Sequence, residues 1–476
     1  MWTDILTGLA NATTPEALIA NAIGVALGIV FGALPGLTAA MGVALLMPLT
    51  FNMPTTEAFS ALLGMYCGAI YGGCITAILV GTPGTVAAAA TMLEGPALTA
   101  RGESKKALDM ATMASFFGGV FSCIALMTVV ASLASSAMLK GGIAALLGLY
   151  ISTIGGDPIS GELRNTFNMP DLFGGLAQVP VLVGLFAVAQ IFVTIEEYFT
   201  KTAQGIKIEI SKKGLSLGEF WKYKFNMLRS SVIGTIVGII PATGVGTASY
   251  IAYSSARRNS KTPEMYGKGT LEGIAATESA NNAVTGGALI PLLTLGVPGD
   301  IVTAIMLGAL MIQGLAPGPL LFNDSPDIVY GIFSALSISN VLMLVMGLLA
   351  VRPLSKVLLV PTGVLMPSVM TLCIVGGFAV NNSTFDLYIV ALFGVLGYLM
   401  QKVDIPTSPL LLSMILGPIA ETNFRRALVI SHNDYTVFVT SPISLCILLI
   451  SLGVVIKTVR DEIRMRKAAH AAQKLS

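Results

Sequence analysis

Charge is what this sequence has least of. Of 476 residues, 11% are charged, 54% are hydrophobic, and the mean hydropathy is +0.81. A water-facing globular surface draws on roughly a quarter charged residues, which excludes a soluble domain of this length. Histidine is nearly missing, and His432 and His470 are too few for bis-histidine haem ligation or an HExxH zinc site. The cysteines (Cys67, Cys74, Cys123, Cys373 and Cys446) lie in apolar segments without a CxxC pair, so they read as small buried hydrophobes rather than redox or metal groups. Gly267-Lys268-Gly269-Thr270 echoes a phosphate loop, but Thr262 stands where the upstream glycine is needed, so no ATPase is read here. The first apolar run, from Ala17, has neither a basic leader nor a small-residue cleavage site, and no removable signal peptide is expected. No metal site and no nucleic-acid partner is expected either.

What is present is apolar length. Runs of roughly 20 residues, enough to cross a bilayer, recur from Ala17 to Ile456. The fold class expected is an all-α polytopic membrane protein. Two motifs occur twice. "GIVFGALPG", Gly28–Gly36, reappears as "GTIVGIIPA", Gly234–Ala242, and Pro35 and Pro241 stand 206 positions apart. "GGCITAILVGTPG", Gly72–Gly84, reappears as "GGALIPLLTLGVPG", Gly286–Gly299, with Pro83 and Pro298 215 positions apart. Two motifs in the same order and at nearly the same spacing define two homologous halves. The organisation expected is a first membrane repeat at 1–200, a basic linker at 201–226, a second repeat at 227–430, and a C-terminal span and tail at 431–476.

Charge orients the halves. After the first motif, Phe51–Glu57 has no basic residue; after the second come Arg101, Lys105 and Lys106. The later half reverses this, with Arg257, Arg258, Lys261 and Lys268 after its first motif and only Asp324 and Asp327 after its second. By the positive-inside rule the two repeats have inverted topology, a signature of secondary transporters that some channels share. The Lys-rich linker and the basic tail should be cytoplasmic and the N-terminus periplasmic. The Arg229–Arg257 segment, basic at both flanks, reads as a re-entrant hairpin with Pro241 at its tip. Gly142–Gly155 and Pro409–Ile419 are short for full spans, so the number of spans stays open.

Proline within such segments removes a backbone donor and displaces the carbonyl four residues earlier. Orphaned groups in hydrocarbon cost several kcal/mol each and persist only where protein or a watery cavity satisfies them. A broken helix also offers free N–H groups to an anion and carbonyls to a cation. Isolated glycines elsewhere read as close-packing positions. At the four proline-centred breaks, where hydroxyls cluster, the reading is a substrate site: Pro35, Gly36, Thr38, Thr82, Pro83, Gly84, Thr85, Thr243, Gly244, Pro298 and Gly299, joined by Asn281 and Asn282. A carboxylate at mid-bilayer costs roughly 2.5–3.5 kcal/mol on insertion scales. Glu278 is therefore a candidate to couple transport to Na⁺ or H⁺, with Asn281 beside it; the alternative is an ordinary interfacial charge, which is how Glu272 is read. Gly155-Gly156-Asp157-Pro158 loosely echoes an aspartyl protease motif, but no second buried Asp is evident, and the chain is not read as an enzyme.

"GALPGLTAAMGVALLMPLTF", "GTPGTVAAAATMLEG", "ESANNAVTGGALIPLLTLGVPG" and "ETNFRRALVISHND" resemble the large membrane (permease) subunit of tripartite tricarboxylate transporters, the TctA type, from about Gly24 to Pro442. The resemblance implies a bacterial inner-membrane permease with a small four-span membrane partner and a periplasmic solute-binding protein. The substrate implied is a carboxylate, such as citrate, another tri- or dicarboxylate or an aromatic acid, with uptake driven by Na⁺ or H⁺. Two departures stand out. Ala242 replaces the glycine of the first half, and Asp300 follows the second Pro-Gly, where a cation suits better than an anion. Arg425 and Arg426 fall on the outer side against the charge rule, to meet a carboxylate or the binding protein, or to pair with Glu421 or Asp434. An elevator-like slide is the expected mechanism and a passive organic-anion channel the alternative. Which carboxylate, which ion and whether the complex forms a homodimer are left open by the sequence.

Overall fold

The computed structural model describes residues 2–34, 36–129, 139–157, 159–200, 214–241, 243–357, 362–379, 381–403, 405–441 and 444–445. Pro35, Ala242, Cys446, most of the lysine-rich linker and the basic tail lie outside the described residues.

Helix dominates. The first half contains α1 (Trp2–Ala12), α2 (Pro15–Ala33), α3 (Ala39–Leu46), α4 (Thr55–Leu79), α5 (Gly95–Ala100), α6 (Ser104–Val129) and α7 (Leu139–Ser152). It continues with α8 (Gln178–Leu182) and α9 (Ala189–Thr200), joined by a π-helical turn at Val183–Val188. After the linker come α10 (Leu217–Trp221), α11 (Lys224–Ile239), α12 (Val245–Asn259), α13 (Leu271–Leu295), α14 (Ile301–Ile312), α15 (Leu321–Asp324) and α16 (Pro326–Val357). The last are α17 (Thr362–Ala379), α18 (Thr384–Lys402), α19 (Ser408–Ile430) and α20 (Val437–Thr440). Among the described residues the only strands are β1 (Gly155–Gly156) and β2 (Leu163–Arg164), antiparallel with Gly155 opposite Arg164.

Six described helices are long and apolar enough to cross a membrane: Pro15–Ala33, Thr55–Leu79, Ser104–Met127, Gln178–Glu196, Pro326–Leu349 and Thr384–Lys402. The 25-residue α13 is just as long as α4, but its run of Glu, Asn, Ser and Thr makes it more polar, and it is buried from Gly273 to Thr294. A helix with such a sequence is stable at membrane depth only when protein surrounds it.

Packing divides the chain into two units, one formed by Met1–Leu133 and Val179–Tyr398, the other by Ala134–Gln178 and Leu399–Ser476. In the first unit α2 lies backbone to backbone on α4. A Cβ added at Gly24, Gly28 or Gly32 would strike the main chain of Ala61, Met65 or Ala69, and one at Gly64, Gly68 or Gly72 would strike that of Asn21, Val25 or Ile29. The later half repeats the arrangement: Gly234 lies on Ala280, Gly238 on Val284 and Gly287 on Thr235, bringing α11 onto α13. Without a hydrophobic drive between helices in lipid, such close approach and the dispersion it gains are what hold them together. Interhelical amides add to it. Asn21 donates from Nδ2 to the Ala335 carbonyl at 3.0 Å and accepts from Ser339 Oγ at 2.9 Å, tying α2 to α16.

In the second unit α7 packs on α19, with Gly148 against the Leu410 backbone and Gly417 against Ser152. A loop after α7 is fixed to α19 by four alternating charges. Arg164 grips Glu421 with both guanidinium nitrogens, at 2.7 and 3.1 Å, and Arg425 contacts Asp157 at 2.6 Å and Glu421 at 3.3 Å. Of the two partners expected for Arg425, Glu421 is one; Asp434 instead accepts from Thr436 within its own turn. Asp157, in the protease-like motif, also accepts from the N–H groups of Ile159 and Ser160. The Arg425 guanidinium and then those two N–H groups hold its carboxyl well below the usual carboxylate range, and Arg164 lowers that of Glu421. Both carboxyls are thus charged at neutral pH. Their contribution to folding is present above the ordinary carboxylate pKa of about 4 and is lost only as pH falls through the lowered values.

Two outcomes are expected. Gly68→Ala should destabilise the first unit by about 1–3 kcal/mol through overpacking, read as a lower melting temperature. Gly218→Ala on α10, where a Cβ meets nothing within 4 Å, should not lower it. Arg425→Gln should raise amide exchange at Ile159 and Ser160 about tenfold or more at pH 7, whereas the wild-type loop should keep its protection down to about pH 5.

Candidate functional site

Four interruptions punctuate the first unit, and each is built with a glycine in the left-handed region: Gly36 (φ 90°), Gly81 (φ 70°), Gly244 (φ 78°) and Gly296 (φ 70°). A side chain is strained at such φ values, so glycine lets each helix stop and restart at little cost. α2 stops before Leu34, and α3 restarts under Thr38, whose hydroxyl accepts from Met41 N at 3.1 Å. α4 stops at Leu79. α11 stops at Ile239 and α12 begins after Gly244. α13 stops at Gly296, and α14 restarts under Asp300, which forms a reciprocal cap with Thr303.

The second and fourth interruptions share one geometry. Gly84 N–H donates to the Gly73 carbonyl at 3.3 Å, and Gly299 N–H donates to the Ala288 carbonyl at 3.3 Å; both pairs correspond at the 215-residue spacing. A Cβ on Gly84 would strike the Gly32 carbonyl oxygen, and one on Gly299 the Gly238 carbonyl oxygen. Each later break is thereby folded against the helix that ends in the earlier break of its half. Cross contacts join the halves. Gly246, in the first turn of α12, sits on Val86, and Ser249 Oγ donates to the Ala87 carbonyl at 3.0 Å. α3 packs on α14. The four interruptions therefore make a closed circuit of contacts within one unit.

The circuit places most of the residues singled out in the sequence. The Gly36 carbonyl accepts from Thr194 Oγ1 at 3.0 Å. Thr82 is exposed and Pro83 half-buried beside it; Pro298 is buried. Thr243 donates to the Ile240 carbonyl at 2.8 Å. The Thr85 hydroxyl is buried and has no partner. Asp300 accepts, besides its cap, from the Tyr66 hydroxyl of α4.

A second polar cluster lies further back along α13. Glu278 is fully buried and accepts from Thr91, from Ser115 Oγ at 3.2 Å and from Asn281 Nδ2 at 3.3 Å. Thr91 and Thr277 hydroxyls lie 2.9 Å apart. Asn282 donates to Asn281 Oδ1 at 2.6 Å, and its own Oδ1 is buried without a partner. No described cation pairs with Glu278 or Asp300. Glu278 lies seventeen residues before the end of α13 at Leu295, about 26 Å at 1.5 Å per residue, and Asp300 lies beyond that end, so the two carboxylates occupy different levels.

Tyr66, Thr91, Ser115 and Glu94 did not stand out in the sequence. Tyr66 had a usable signal, since it lies 215 positions before Asn281, and Thr85 lies 215 before Asp300. The Tyr66–Asp300 pair thus has Asn281 and Thr85 as its counterparts. Glu94 is fully buried and accepts from Tyr253 Oη and Gly267 N at 2.7 Å and from Gly269 N and Thr270 N at 2.8 Å. The loop that echoes a phosphate binder is therefore a backbone nest filled by the chain's own carboxylate.

Long apolar helices around an internal, fully buried polar seam define a multi-pass helical membrane protein. The model of the tripartite tricarboxylate transporter TctA family matches residues 18–138 and 123–412, and the chain belongs to that family, one of membrane transporters rather than enzymes. An uncharacterised 52.8 kDa protein from the TAR-I ttuC' 3' region of Agrobacterium vitis is 33% identical over 97% of this chain and 96% of its own length. Another, from the TAR-II ttuC' 3' region of the same organism, is 38% identical over 49% of this chain and 97% of its own length. No solved structure matches.

Tyr66→Phe removes the α4 donor while leaving the Asp300–Thr303 cap intact. It should cost about 0.5–3 kcal/mol, the span from a hydrogen bond between neutral groups to one with a charged group, read as a lower melting temperature of the purified protein.

Proposed function

We propose that this chain is the permease of a carboxylate importer of the bacterial inner membrane. A periplasmic solute-binding protein delivers a tricarboxylate such as citrate, or a dicarboxylate, and a small four-span membrane subunit accompanies the permease. The observation that carries this reading, beside family membership, is the closed circuit of four helix breaks, with hydroxyls clustered at them and the Thr85 hydroxyl buried without a partner. Broken helices at corresponding places in two halves are the pattern in which transporters bind anions at half-helix N-termini. The matched contacts at Gly84 and Gly299 support two repeats, and the charge asymmetry of their connections supports inverted topology, with the α11–α12 pair as a re-entrant hairpin.

Substrate is bound around Pro35–Thr38, Thr82–Thr85, Thr243–Gly244 and Pro298–Gly299, with the amides of Asn281 and Asn282 at its edge. Uptake is coupled to Na⁺ or H⁺ through Glu278, Asp300 and Asn281. A buried carboxylate without a cationic partner is neutralised by a proton or by a bound cation, and either event is what coupling requires. The block bearing the breaks slides against a scaffold, exposing the site to each side in turn.

Vesicles containing this chain and its small partner should accumulate labelled citrate or succinate above equilibrium, given the binding protein and an imposed Na⁺ or pH gradient. Downhill flux indifferent to both gradients would instead identify a channel. Asn281→Ala should reduce uptake at limiting substrate at least fivefold with membrane insertion unchanged; equal uptake would remove Asn281 from the site.

A further inference from the structure

One face of α12 is exposed along its whole length and changes character midway. Tyr250 and Ile251, each 45% exposed, are followed one turn on by Ser254 and then by Arg257 and Arg258, all exposed. Residues three, four, seven and eight apart share a helix face, so these five form one continuous strip. At its basic end the strip borders an open surface depression of about 390 Å³ lined by Tyr253, Ser254, Arg257, Arg258 and Pro263. Tyr253 contributes only its ring there, because its hydroxyl is bound to Glu94.

The two guanidinium groups are adjacent in sequence and neither pairs with a described carboxylate. Of the carboxylates on neighbouring segments, Glu94 holds four donors of its own, Glu272 accepts from Ser260 Oγ at 2.6 Å, and the exposed Glu264, next to Pro263, pairs with neither arginine. This differs from Arg164 and Arg425, both of which are matched by acids. Two unmatched arginines and a hydroxyl around one depression are suited to a phosphate, which guanidinium groups bind in a fork. The apolar strip leading away from that depression is suited to an acyl chain. The charge rule places Arg257, Arg258, Lys261 and Lys268 at the cytoplasmic surface, where anionic headgroups concentrate beside basic pockets.

We propose that the exposed face of α12 binds one anionic phospholipid, its phosphate on Arg257, Arg258 and Ser254 and an acyl chain along Tyr250 and Ile251. The site lies outside the circuit of helix breaks and does not depend on which substrate is carried.

The test is retention of lipid by the full-length chain. Wild-type protein extracted from nanodiscs of mixed phosphatidylglycerol and phosphatidylcholine should keep one phosphatidylglycerol in native mass spectrometry, under conditions that strip phosphatidylcholine. Arg257→Gln/Arg258→Gln should lower that retention at least fivefold, and Ile251→Gln, which leaves the charge untouched, should lower it too. Arg426→Gln, an exposed arginine on α19, should not. Phosphatidylglycerol retention no greater than that of phosphatidylcholine in the wild type would overturn the proposal without any variant. So would retention unchanged by the double substitution. A rise in melting temperature with inorganic phosphate, lost in the double variant and unaccompanied by lipid retention, would overturn it in favour of a soluble oxyanion.

Discussion

A main-chain N–H or carbonyl removed from water must find a partner, and in a lipid environment almost the only partner is the chain itself. The rest of this structure follows from that constraint. Helices satisfy it along their length, so each place where α2, α4, α11 or α13 stops has to be closed by something specific. The closures are tightly built: the Gly84 N–H returns to Gly73, the Gly299 N–H returns to Ala288, a threonine caps α3 and an aspartate caps α14. Glycine at Gly84 and Gly299 then lets each closure lie on a neighbouring carbonyl. Breaks made this way are ordered places with a fixed set of donors and acceptors.

The same constraint explains the composition of α13. Its amides, hydroxyls and Glu278 are tolerable because α6, α11 and the short segment containing Thr91 surround them with matching groups. Matching fails at several buried side-chain atoms, Thr85 Oγ1 and Asn282 Oδ1 among them, and an unsatisfied polar atom is left inside the protein there. Native proteins rarely leave such atoms without a purpose; Thr85 stands at a helix break and Asn282 in the amide run of α13.

Much of this was legible in the sequence because its signals are local or periodic. Pro-Gly at a spacing of 215 residues located two breaks, and the acidic and amide run of 278–282 marked the polar helix. Partners were far less legible. Nothing near Glu278 announces Thr91 or Ser115, since hydroxyls are common and only packing selects these two. For Arg425, Glu421 was visible as a neighbour one helical turn away, whereas Asp157 is 268 residues distant and only the fold of the second unit brings it close. Glu94 shows the converse. The glycine pattern at 267–269 was read as unfit for a nucleotide, yet its N–H groups do bind an oxyanion, one the chain supplies itself.

The glycine seam between α2 and α4 has a mechanical consequence. Side chains normally act as compliant spacers between helices and let one slide on another by changing rotamers. Here three glycines from each helix remove the spacer, so the opposing main chains interlock like the teeth of a rack. Sliding along such a seam would have to lift one backbone over another, and the pair is correspondingly stiff in shear. The α11–α13 pair is keyed in the same way. Relative motion within this unit is therefore confined to joints where real side chains intervene, and the two helix pairs act as its rigid links.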